Sequence, residues 1–529
     1  MSQDAETVVE VEAGERPKVV IAGGGLAGLA CAKRLVDGGY RVELVEAEPQ
    51  LGGRTASWKD QSGKHGVESG VHTFFGVYSH LIRLLNEVGV DDNRIVAWDD
   101  KVGFLQPGAR LNLFTLDPVR DLPNVLFGLL GNNRFLGPLA KLSIGFTFTN
   151  GLLRLADYEF KTVAQLARDG GLNRQTYERV IRPLTRGLTF AEPEELSGYV
   201  LLTLLSHALL NPWNLRTGTF KGGMTAVMIN PIANWLREKG AVLRTGATLS
   251  NIRMDKQSGQ VSGFELDNGE VLTGDVYVSA LPLEVFKQQV PEAVRNEPFF
   301  TDILKLDTVP ANSVQLWFDQ NFCSRSEFIF MSGSPLVVFQ DESHLTFPYN
   351  GSRISAQITD RDTDGYTAQQ LIDLALQELH KYIPASAEAT LQHSEVVRHQ
   401  AVLLRPYTQA LRPTQATPVP NFFLAGDYTR QNWFTTMEGA TISGEKAASA
   451  ILRGSRSQVD DYDDTDRDVA YGTGGSGLRT NLGNAVKSGF ERSVWNRTPV
   501  PRSQVAEEAA RRLNRLAERF TRSPWDQVE

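Results

Sequence analysis

Three glycines near the start of the chain have the spacing that dinucleotide-binding proteins use in their phosphate loop. Gly23, Gly25 and Gly28 follow the apolar run Lys18–Ala22 and open a helical pattern. The first glycine permits a tight turn, the second lets the backbone approach a pyrophosphate, and the third lets helix and strand pack closely. Because the N-terminus of that helix also faces the phosphates, these residues predict a dinucleotide site.

A carboxylate stands where such a site needs a ribose ligand. Glu46 ends the second apolar run, residues 41–46, so that strand, glycine turn, helix and strand form one βαβ unit. A carboxylate at this place accepts hydrogen bonds from ribose hydroxyls and repels a 2′-phosphate. NAD and FAD share this pattern, and the choice between them depends on residues further along the chain.

Two later segments favour FAD. Gly52, Gly53 and Arg54 follow the second strand; the glycines admit backbone beside a ligand, and Arg54 offers a forked cation to a pyrophosphate or to ring charge. Gly426 and Asp427 end another apolar run, and the carboxylate can accept hydrogen bonds from a polyol such as the ribityl chain. Groups so far apart in the chain predict a long cofactor that is held at both ends.

A helical pattern begins near Met437, just after the second of these segments. Thr435 and Glu438 have the spacing of a capping box. If the N-terminus of this helix points at the pyrimidine edge of a flavin, it stabilises the negative charge of the reduced ring. Met437 is therefore among the predicted cofactor contacts.

Composition limits the other classes of function. The chain has 529 residues, of which 41% are hydrophobic and 22% charged, which is enough apolar material for a large globular core. With 54 basic and 62 acidic residues the formal net charge is −8, so no basic excess supports nucleic-acid binding. The two cysteines, Cys31 and Cys323, are too few for a disulfide framework, a zinc cluster or an iron–sulfur site. We expect no metal cofactor.

Apolar runs and helical patterns alternate along most of the chain, which is typical of an α/β fold. After the βαβ unit we predict a mostly helical stretch from about 100 to 215, a helix at 225–239, strands at 241–244 and 276–280, a hairpin turning at Asn268-Gly269, a helix at 369–382, a strand at 421–425 and a helix at 438–452.

These elements predict a Rossmann-like FAD-binding domain assembled from discontinuous segments, a mixed-sheet substrate domain and a helical cap, which is the candidate region for membrane association. The predicted boundaries are 18–100, 216–290 and 406–455 for the three FAD-binding segments, 101–215 for the cap, 291–405 for the substrate domain, 1–17 for a disordered N-terminus, and 456–529 for a linker with a C-terminal amphipathic helix.

Taken together, the motifs resemble those of flavin-dependent carotene desaturases of the plant and cyanobacterial type, within the flavin amine oxidase superfamily. Residues 68–78 are similar to the E-x-G-x-H-x-F-F-G-x-Y pattern of phytoene and ζ-carotene desaturases, and residues 425–431 with 437–444 are similar to their C-terminal flavin segment. Hydroxysqualene dehydroxylases share much of this pattern. The resemblance extends from about residue 17 to 453 and is strongest at its two ends.

The resemblance implies further cofactor contacts. Gly70, Val71 and His72 are expected to line the flavin near its reactive edge, and Leu249 to contact the adenine end through its backbone. Phe75 and Tyr78 are expected in the substrate cavity, although a place in the core remains equally open for both. No catalytic acid–base side chain is assigned.

The implied substrate is a lipid-soluble isoprenoid hydrocarbon, most simply phytoene or ζ-carotene, which loses a hydride from an allylic C–H and a proton from the neighbouring carbon. A membrane quinone is the expected electron acceptor. Three alternatives stay open: a hydroxysqualene dehydroxylase-like enzyme, a flavin amine oxidase, and a redox-neutral carotene isomerase or a flavin-bearing assembly factor.

One apolar stretch predicts contact with a membrane surface. Residues 125–155 are rich in Leu and Phe, with Phe127, Leu130 and Phe135 as expected lipid contacts, but Arg134 and Lys141 interrupt the stretch too early for it to span a bilayer. A buried helical cap is the alternative. With no secretory signal, we expect a cytoplasmic protein that is peripheral on an inner or thylakoid membrane.

Overall fold

The structure is a computed structural model that describes residues 16–108, 110–115, 135–210, 214, 216–323, 328–359 and 363–454. The predicted disordered N-terminus (apart from residues 16 and 17) and the whole predicted segment 456–529, with its linker and C-terminal amphipathic helix, lie outside the described residues. So do residues 125–134, which contain Phe127 and Leu130 of the predicted membrane segment.

The strands, numbered in chain order, are β1 Lys18–Ala22, β2 Arg41–Val45, β3 Ser57–Lys59, β4 Gly66–Glu68, β5 Phe74–Phe75, β6 Val96–Asp99, β7 Lys101–Gln106, β8 Arg110–Thr115, β9 Thr217–Phe220, β10 Val242–Arg244, β11 Leu249–Met254, β12 Val261–Leu266, β13 Val271–Leu272, β14 Val276–Ser279, β15 Asp307–Phe318, β16 Ile329–Met331, β17 Leu336–Asp341, β18 Arg353–Ile358, β19 Leu391–Leu403 and β20 Phe422–Leu424.

The α-helices are α1 Leu26–Asp37, α2 Ser79–Glu87, α3 Asp92–Ile95, α4 Pro138–Leu153, α5 Val163–Asp169, α6 Arg174–Thr176, α7 Arg182–Thr189, α8 Gly198–Leu210, α9 Asn230–Glu238, α10 Leu283–Gln289, α11 Pro298–Leu304, α12 Ala368–Tyr382 and α13 Met437–Gly454. Two π-helical segments, Tyr177–Ile181 and Thr225–Ile229, lead directly into α7 and α9.

A five-stranded parallel sheet carries the glycine motif. Its order is β10-β2-β1-β14-β20, and every neighbouring pair is parallel. The strands come from three separated stretches of the chain, around residues 18–45, 242–279 and 422–424. Because parallel strands end at one edge, this topology gathers the loops after β1, β2 and β20 at the same side of the sheet.

Helices α1 and α13 pack against each other with almost no space between their backbones. A Cβ on Gly444 of α13 would lie 2.1 Å from the carbonyl oxygen of Ala27 in α1. Apolar side chains of both helices and of α9 form one core with the parallel sheet. Helix α13, the last helix among the described residues, is therefore fixed directly on the helix that follows the glycine motif.

The start of α13 differs from the predicted capping box. Thr436, not Thr435, caps the helix, since its Oγ1 accepts a hydrogen bond of 3.0 Å from the amide of Gly439. The buried carboxylate of Glu438 instead accepts the amides of His80 and Leu81 at the start of α2, at 2.8 and 2.9 Å. The predicted capping box is therefore wrong, because the carboxylate of Glu438 caps the neighbouring helix α2 rather than its own helix.

A second, seven-stranded sheet has the order β19-β15-β18-β17-β16-β7-β8, antiparallel except between β16 and β7. The prediction of a mostly helical stretch from about residue 100 is wrong for its first part, because Lys101–Gln106 and Arg110–Thr115 are strands at the edge of this sheet. Apolar alternation in these two runs and a left-handed Gly108 between them suit a hairpin better than a helix.

Helix α4 lies within the predicted membrane segment and shows two different faces. Leu139 and Leu142 are 79% and 60% exposed, and Leu153 on the same stripe is also exposed. Phe135 just before the helix is 2% exposed, and Leu152 is buried in the core. The expectation that Phe135 contacts lipid is therefore wrong, since its ring packs inside the protein. Among the described residues, no helix combines the length and apolar character needed to cross a membrane.

Candidate active site

The glycine loop between β1 and α1 has the geometry that its spacing predicts. Gly23 has φ +111°, and a Cβ on Gly28 would lie 2.0 Å from the carbonyl oxygen of Gly23, so the helix approaches the strand more closely than any side chain allows. In front of Gly25 the nearest atom to a built Cβ is the carbonyl oxygen of Gly52, at 4.0 Å. The loop is thus tightly packed on the side of Gly28 and open on the side of Gly25.

The open side of the loop suits an anion. Gly25 is the N-cap residue of α1 and supplies no side-chain acceptor, and the first turn contains no acidic residue. The amides of that turn therefore lack the side-chain partner that helix N-termini usually have. A pyrophosphate would satisfy them and would lie in the favourable field of the helix dipole.

Glu46 follows β2 and holds the loops together. Its Oε2 accepts a 2.7 Å hydrogen bond from the amide of Gly24, and its Oε1 accepts one of 3.0 Å from the amide of Glu48. Each carboxylate oxygen has a second lone pair for a hydroxyl group. The backbone of residues 46–48 also accepts the amides of Gly246 and Ala247, which brings the start of β11 with Leu249 towards the end of β2.

The second glycine segment lies against the first. The amide of Gly52 donates to the carbonyl oxygen of Gly24 at 2.9 Å, and Gly52 forms an isolated parallel bridge with Gly25. Gly52 and Gly53 have φ values of +119° and +54°, which an L side chain adopts only with strain. The short helical turn that follows presents Arg54 at the same edge of the parallel sheet.

Arg54 contacts Asp427, the predicted cofactor ligand that follows β20. One of its terminal nitrogens lies 2.8 Å from Asp427 Oδ1, while Asp427 Oδ2 is buried and has no hydrogen-bond partner. Gly426, with φ +141°, turns the chain at this point, and its amide donates to Ser443 Oγ of α13 at 2.8 Å. A buried carboxylate oxygen without a donor is an expensive arrangement, which a ligand hydroxyl would relieve. Met437, the first residue of α13, follows ten positions after Asp427 and is also buried.

The segment Gly70-Val71-His72 lies beside this pair. His72 Nδ1 is 2.9 Å from the carbonyl oxygen of Gly70. Burial lowers the pKa of His72 to about 4, the Gly70 hydrogen bond opposes that shift, and the nearby charge of Arg54 adds to it. The imidazole is therefore neutral at physiological pH.

A second histidine, His399 on β19, was missed by sequence reasoning. Burial lowers its pKa to about 4, and the charge of Arg54 and the neighbouring His72 lower it further. Its Nε2 is buried without a hydrogen-bond partner. It lies 327 positions beyond His72 in the chain, on a long strand with no glycine motif, so only the sheet topology brings the two imidazoles together.

Below this segment, two carboxylates and one guanidinium are buried together. The Arg353 guanidinium is fully buried, pairs with Glu342, and donates to the Gly66 carbonyl oxygen at 2.8 Å and to Gln315 Oε1 at 2.6 Å. Glu68 accepts the amide of Met224 at 3.1 Å through Oε1, whereas its Oε2 has no partner. Burial raises the pKa of Glu68 and lowers that of Arg353. We call these three charged residues the Glu68–Arg353–Glu342 cluster.

A pocket of about 10 Å³, which is room for about one water molecule, joins this cluster to the histidine segment. Its volume is below the range usual for drug-sized ligands, so a substrate would not be held here alone. The lining residues are Glu68, Gly70, His72, Phe220, Met224, Gln340, Glu342 and Thr346.

The two aromatic residues predicted for the substrate cavity differ in environment. Tyr78 is 3% exposed and packs edge-on against Phe74, Phe75 and Trp433 at ring distances of 5.3 to 5.7 Å. It belongs to the core of the parallel-sheet half. Phe75 is only partly buried, and its strand β5 pairs with β9, which carries Phe220 of the pocket.

Comparison with known proteins assigns the family. Residues 26–452 match the family described as flavin containing amine oxidoreductase, which is more than three quarters of the chain. The chain belongs to this family. It is accordingly a flavin-dependent oxidoreductase, and the residues gathered at the edge of the parallel sheet fit its cofactor, FAD: the α1 amides face open space and Asp427 Oδ2 lacks a donor.

Curated relatives are similar over almost the whole family region. A 15-cis-phytoene desaturase from an Oncidium hybrid cultivar is 30% identical over 471 residues, covering 85% of this chain and 79% of that protein. A 15-cis-phytoene desaturase from Synechococcus elongatus is 28% identical, covering 82% and 96%. A probable zeta-carotene desaturase from the same organism is 29% identical, covering 82% and 98%.

Solved structures support the fold. An oxidoreductase from Methanosarcina mazei superposes with a TM-score of 0.62 at 15% identity, covering 82% of this chain and all of that one. Cyclohexylamine oxidase from Brevibacterium oxydans superposes with a TM-score of 0.58 at 20% identity, covering 83% and 99%. At such low identity these neighbours indicate the architecture and not the substrate.

Proposed function

We propose that this protein is a carotene desaturase, which removes two hydrogens from a CH–CH unit of phytoene or ζ-carotene. The observation that carries the proposal is the similarity to phytoene and zeta-carotene desaturases, at 28 to 30% identity over 82 to 85% of the chain. The substrate is therefore a lipid-soluble isoprenoid. The amine oxidases among the solved structures are at most 20% identical and do not favour an amine substrate.

The cofactor contacts follow from the geometry of the loops. The α1 amides at Gly25 would hold the pyrophosphate, with Gly23 and Gly28 allowing the approach, and Glu46 would accept the ribose hydroxyls. The backbone at Leu249, next to the end of β2, would meet the adenine.

The flavin half of the cofactor would lie between residues of the first and the third FAD-binding segments. Asp427 would accept ribityl hydroxyls, Arg54 would neutralise phosphate or ring charge, and the start of α13 at Met437 would face the ring. Gly52, Gly53 and Gly426 provide close backbone approach, and Gly70-Val71-His72 would border the reactive edge. When bound, the flavin supplies the two-electron acceptor for hydride removal.

The side chains near that edge suit a hydrocarbon. His72 and His399 are neutral at physiological pH, because the burial described above keeps their pKa values near 4. The substrate has no polar group to bind, so shape and the exclusion of water must orient it. Phe75 is available at the margin of the site, whereas Tyr78 supports it from the core.

The proposal includes a membrane surface, because a carotene dissolved in lipid cannot cross water at a useful rate. The exposed stripe of α4, with Leu139, Leu142 and Leu153, is the part of the described cap that supports this contact. Phe160, a few residues beyond the same helix, is exposed and contacts the exposed ring of Tyr407, with the two rings tilted by 47°. We propose a peripheral location on an inner or thylakoid membrane and a membrane quinone as electron acceptor.

Product analysis tests the substrate. The flavin-loaded protein is incubated with liposomes that contain phytoene, ζ-carotene or hydroxysqualene, together with a soluble quinone, and the extracted lipids are separated. We expect polyenes with additional conjugated double bonds from one of the two carotenes. Replacing the hydroxyl of hydroxysqualene by hydrogen needs two electrons, so in that arm dithionite, which reduces the flavin, takes the place of the quinone. Squalene formed there, with no change in either carotene in the presence of quinone, would replace the proposal with the dehydroxylase alternative.

Sedimentation with liposomes tests the membrane contact. Leu139→Ser combined with Leu142→Ser removes apolar area that is already exposed, so the fold should be unaffected. At about 25 cal/mol per Å², loss of two leucine contacts should weaken liposome binding at least about tenfold. The matched control is Val242→Ser with Val285→Ser, two exposed apolar residues elsewhere. Equal binding of both double variants and the parent would contradict an interface on α4.

A further inference from the structure

Outside the flavin site, two histidines and two carboxylates meet between the β3–β4 hairpin and strand β19. Asp60 follows β3, His65 precedes β4, and His393 and Glu395 stand two positions apart on β19. Residues two apart in a strand point to the same face, so β19 offers an imidazole and a carboxylate together. One nitrogen or oxygen each from Asp60, His65 and His393 lies within 4.8 Å of the other two.

The hairpin holds its two groups firmly. The amide of Asp60 donates to the carbonyl oxygen of His65 at 2.9 Å, which closes the hairpin. Asp60 Oδ1 accepts the amides of Lys64 and His65 at 3.0 and 3.1 Å, and Ser62 Oγ donates to both carboxylate oxygens. This outer set of hydrogen bonds orients Oδ2 towards β19, as such bonds commonly orient carboxylate ligands of metal ions.

His393 Nε2 is buried, has no hydrogen-bond partner, and lies between two carboxylates. It is 3.4 Å from Asp60 Oδ2 and 3.4 Å from Glu395 Oε1. In a tetrahedral zinc site with ligand bonds of about 2.0–2.1 Å, neighbouring ligand atoms are about 3.3–3.4 Å apart. The distances from Nε2 to the two carboxylates thus match the distances between neighbouring ligand atoms in such a site.

From these contacts we propose that Asp60, His65, His393 and Glu395 bind one divalent first-row transition metal ion of the zinc class. Imidazole and carboxylate together suit such ions, whereas magnesium and calcium prefer oxygen ligands alone. The site is independent of the flavin. It was not expected from the sequence, because the cysteine count says nothing about histidine ligands and His65 and His393 are 328 positions apart.

Binding requires one ring movement. The His65 and His393 rings stack with centroids 4.4 Å apart and 14° between their planes, and Trp317 packs against both. The lone pairs of nearly parallel rings do not converge on one point, so one imidazole must turn out of the stack. His65 is only partly buried, so its ring can turn while His393 Nε2 keeps its distances to the two carboxylates.

The consequence of binding is a link between two parts of the chain that reach the candidate active site. The β3–β4 hairpin continues directly into the Gly70–His72 segment, and β19 continues to His399. An ion shared by the hairpin and the strand would stabilise their contact in the folded protein but not in the unfolded chain.

The test uses the flavin-loaded protein without a histidine tag, freed of metal by chelation. Zn²⁺ is titrated by calorimetry and Co²⁺ by absorption at wavelengths longer than those of the flavin bands, where tetrahedral Co²⁺ absorbs. We expect one ion per chain with a Kd below about 10 μM, and a melting temperature raised by a few degrees at saturating Zn²⁺.

Variants locate the ion. His393→Ala and Asp60→Asn should each weaken Zn²⁺ binding at least about tenfold and abolish the cobalt bands. His344→Ala, an exposed histidine outside the cluster, should leave both unchanged. If His393→Ala fails to retain flavin, Glu395→Gln serves in its place. A Kd above about 10 μM, or binding that survives these cluster substitutions, would overturn the proposal.

Discussion

The two large sheets both reach the candidate active site, but they contribute groups of different kinds. The parallel sheet supplies loops after its strands, in which backbone amides, glycines and the carboxylates of Glu46 and Asp427 face the edge. The seven-stranded sheet supplies side chains from within its strands, above all His399 and Arg353. One half therefore offers a backbone cradle and the other offers buried polar side chains.

This difference explains how each half depends on single residues. In the loops, the space a glycine leaves is the critical quantity, and adding one methyl group is enough to disturb it. In the strands, the Glu68–Arg353–Glu342 cluster depends on a balance of buried charge, and removal of one member leaves the others unpaired. Four predictions, in order of decreasing effect, test whether the two halves respond in these separate ways.

Arg353→Met should cause the largest loss of stability. The substitution keeps an apolar chain in place but leaves the Glu342 carboxylate buried without its cation, which typically costs about 3–5 kcal/mol. Urea unfolding at pH 7 measures the loss. Arg253→Met is the control, since its pair with Glu265 is exposed to solvent and should contribute less than about 1 kcal/mol. Similar losses for the two variants would mean that burial does not distinguish them.

Gly28→Ala should separate α1 from β1, because the new Cβ would lie 2.0 Å from the carbonyl oxygen of Gly23. We expect a loss of about 1–3 kcal/mol together with weaker flavin retention during gel filtration. Gly145→Ala in α4 is the matched control: a Cβ there meets no atom within 4 Å, and alanine favours the helix by up to about 1 kcal/mol. A stable, fully flavinated Gly28→Ala protein would contradict the role of this glycine.

Asp427→Asn should weaken FAD binding with little effect on the fold. The isosteric amide loses the charge that pairs with Arg54 and accepts hydroxyl groups, and one charge-assisted hydrogen bond of about 1.5–3 kcal/mol corresponds to a tenfold or larger rise in Kd. Quenching of flavin fluorescence measures the Kd. Asp373→Asn on the surface of α12 is the control. An unchanged Kd would show that Asp427 only positions Arg54.

The prediction with the smallest effect at neutral pH concerns the pH dependence of stability. His72 and His399 have folded-state pKa values near 4, below the ordinary 6.5, so the unfolded chain binds more protons between these values. Their contribution to stability is complete above pH 6.5 and is lost as the pH falls towards 4. A His72→Gln, His399→Gln double variant should lose less stability than the parent over this interval, by thermal unfolding. If the unfolding temperatures of the parent and the double variant fell equally with pH, the histidines would be accessible to water.

The parallel-sheet half was largely predictable because the sequence patterns that define its elements are local. Glycine spacing, short apolar runs and the Asn268-Gly269 turn each act over a few residues. Strands β1, β14 and β20 lie within a residue or two of the predicted bounds. The π-helical start of the helix at 225–239 is a local departure that helical periodicity does not reveal.

The mixed-sheet half was less predictable because its contacts are distant in the chain. Arg353 and Gly66 meet only after β18 and β4 are placed, and nothing beside either residue indicates the other. The same reason hid His399. In the cap, apolar content alone could not separate the buried Phe135 from the exposed Leu139, since that depends on which elements cover them.

Reduction of the bound flavin under anaerobic conditions tests the central claim most directly. The flavin-loaded protein is mixed with phytoene in liposomes without any acceptor, and its visible absorption is followed while products are extracted. Oxidative desaturation predicts loss of the oxidised flavin band, with one new double bond per flavin reduced. Formation of a product without bleaching would identify a redox-neutral isomerase, and bleaching by a primary amine but not by either carotene would identify an amine oxidase; both results would contradict carotene desaturation.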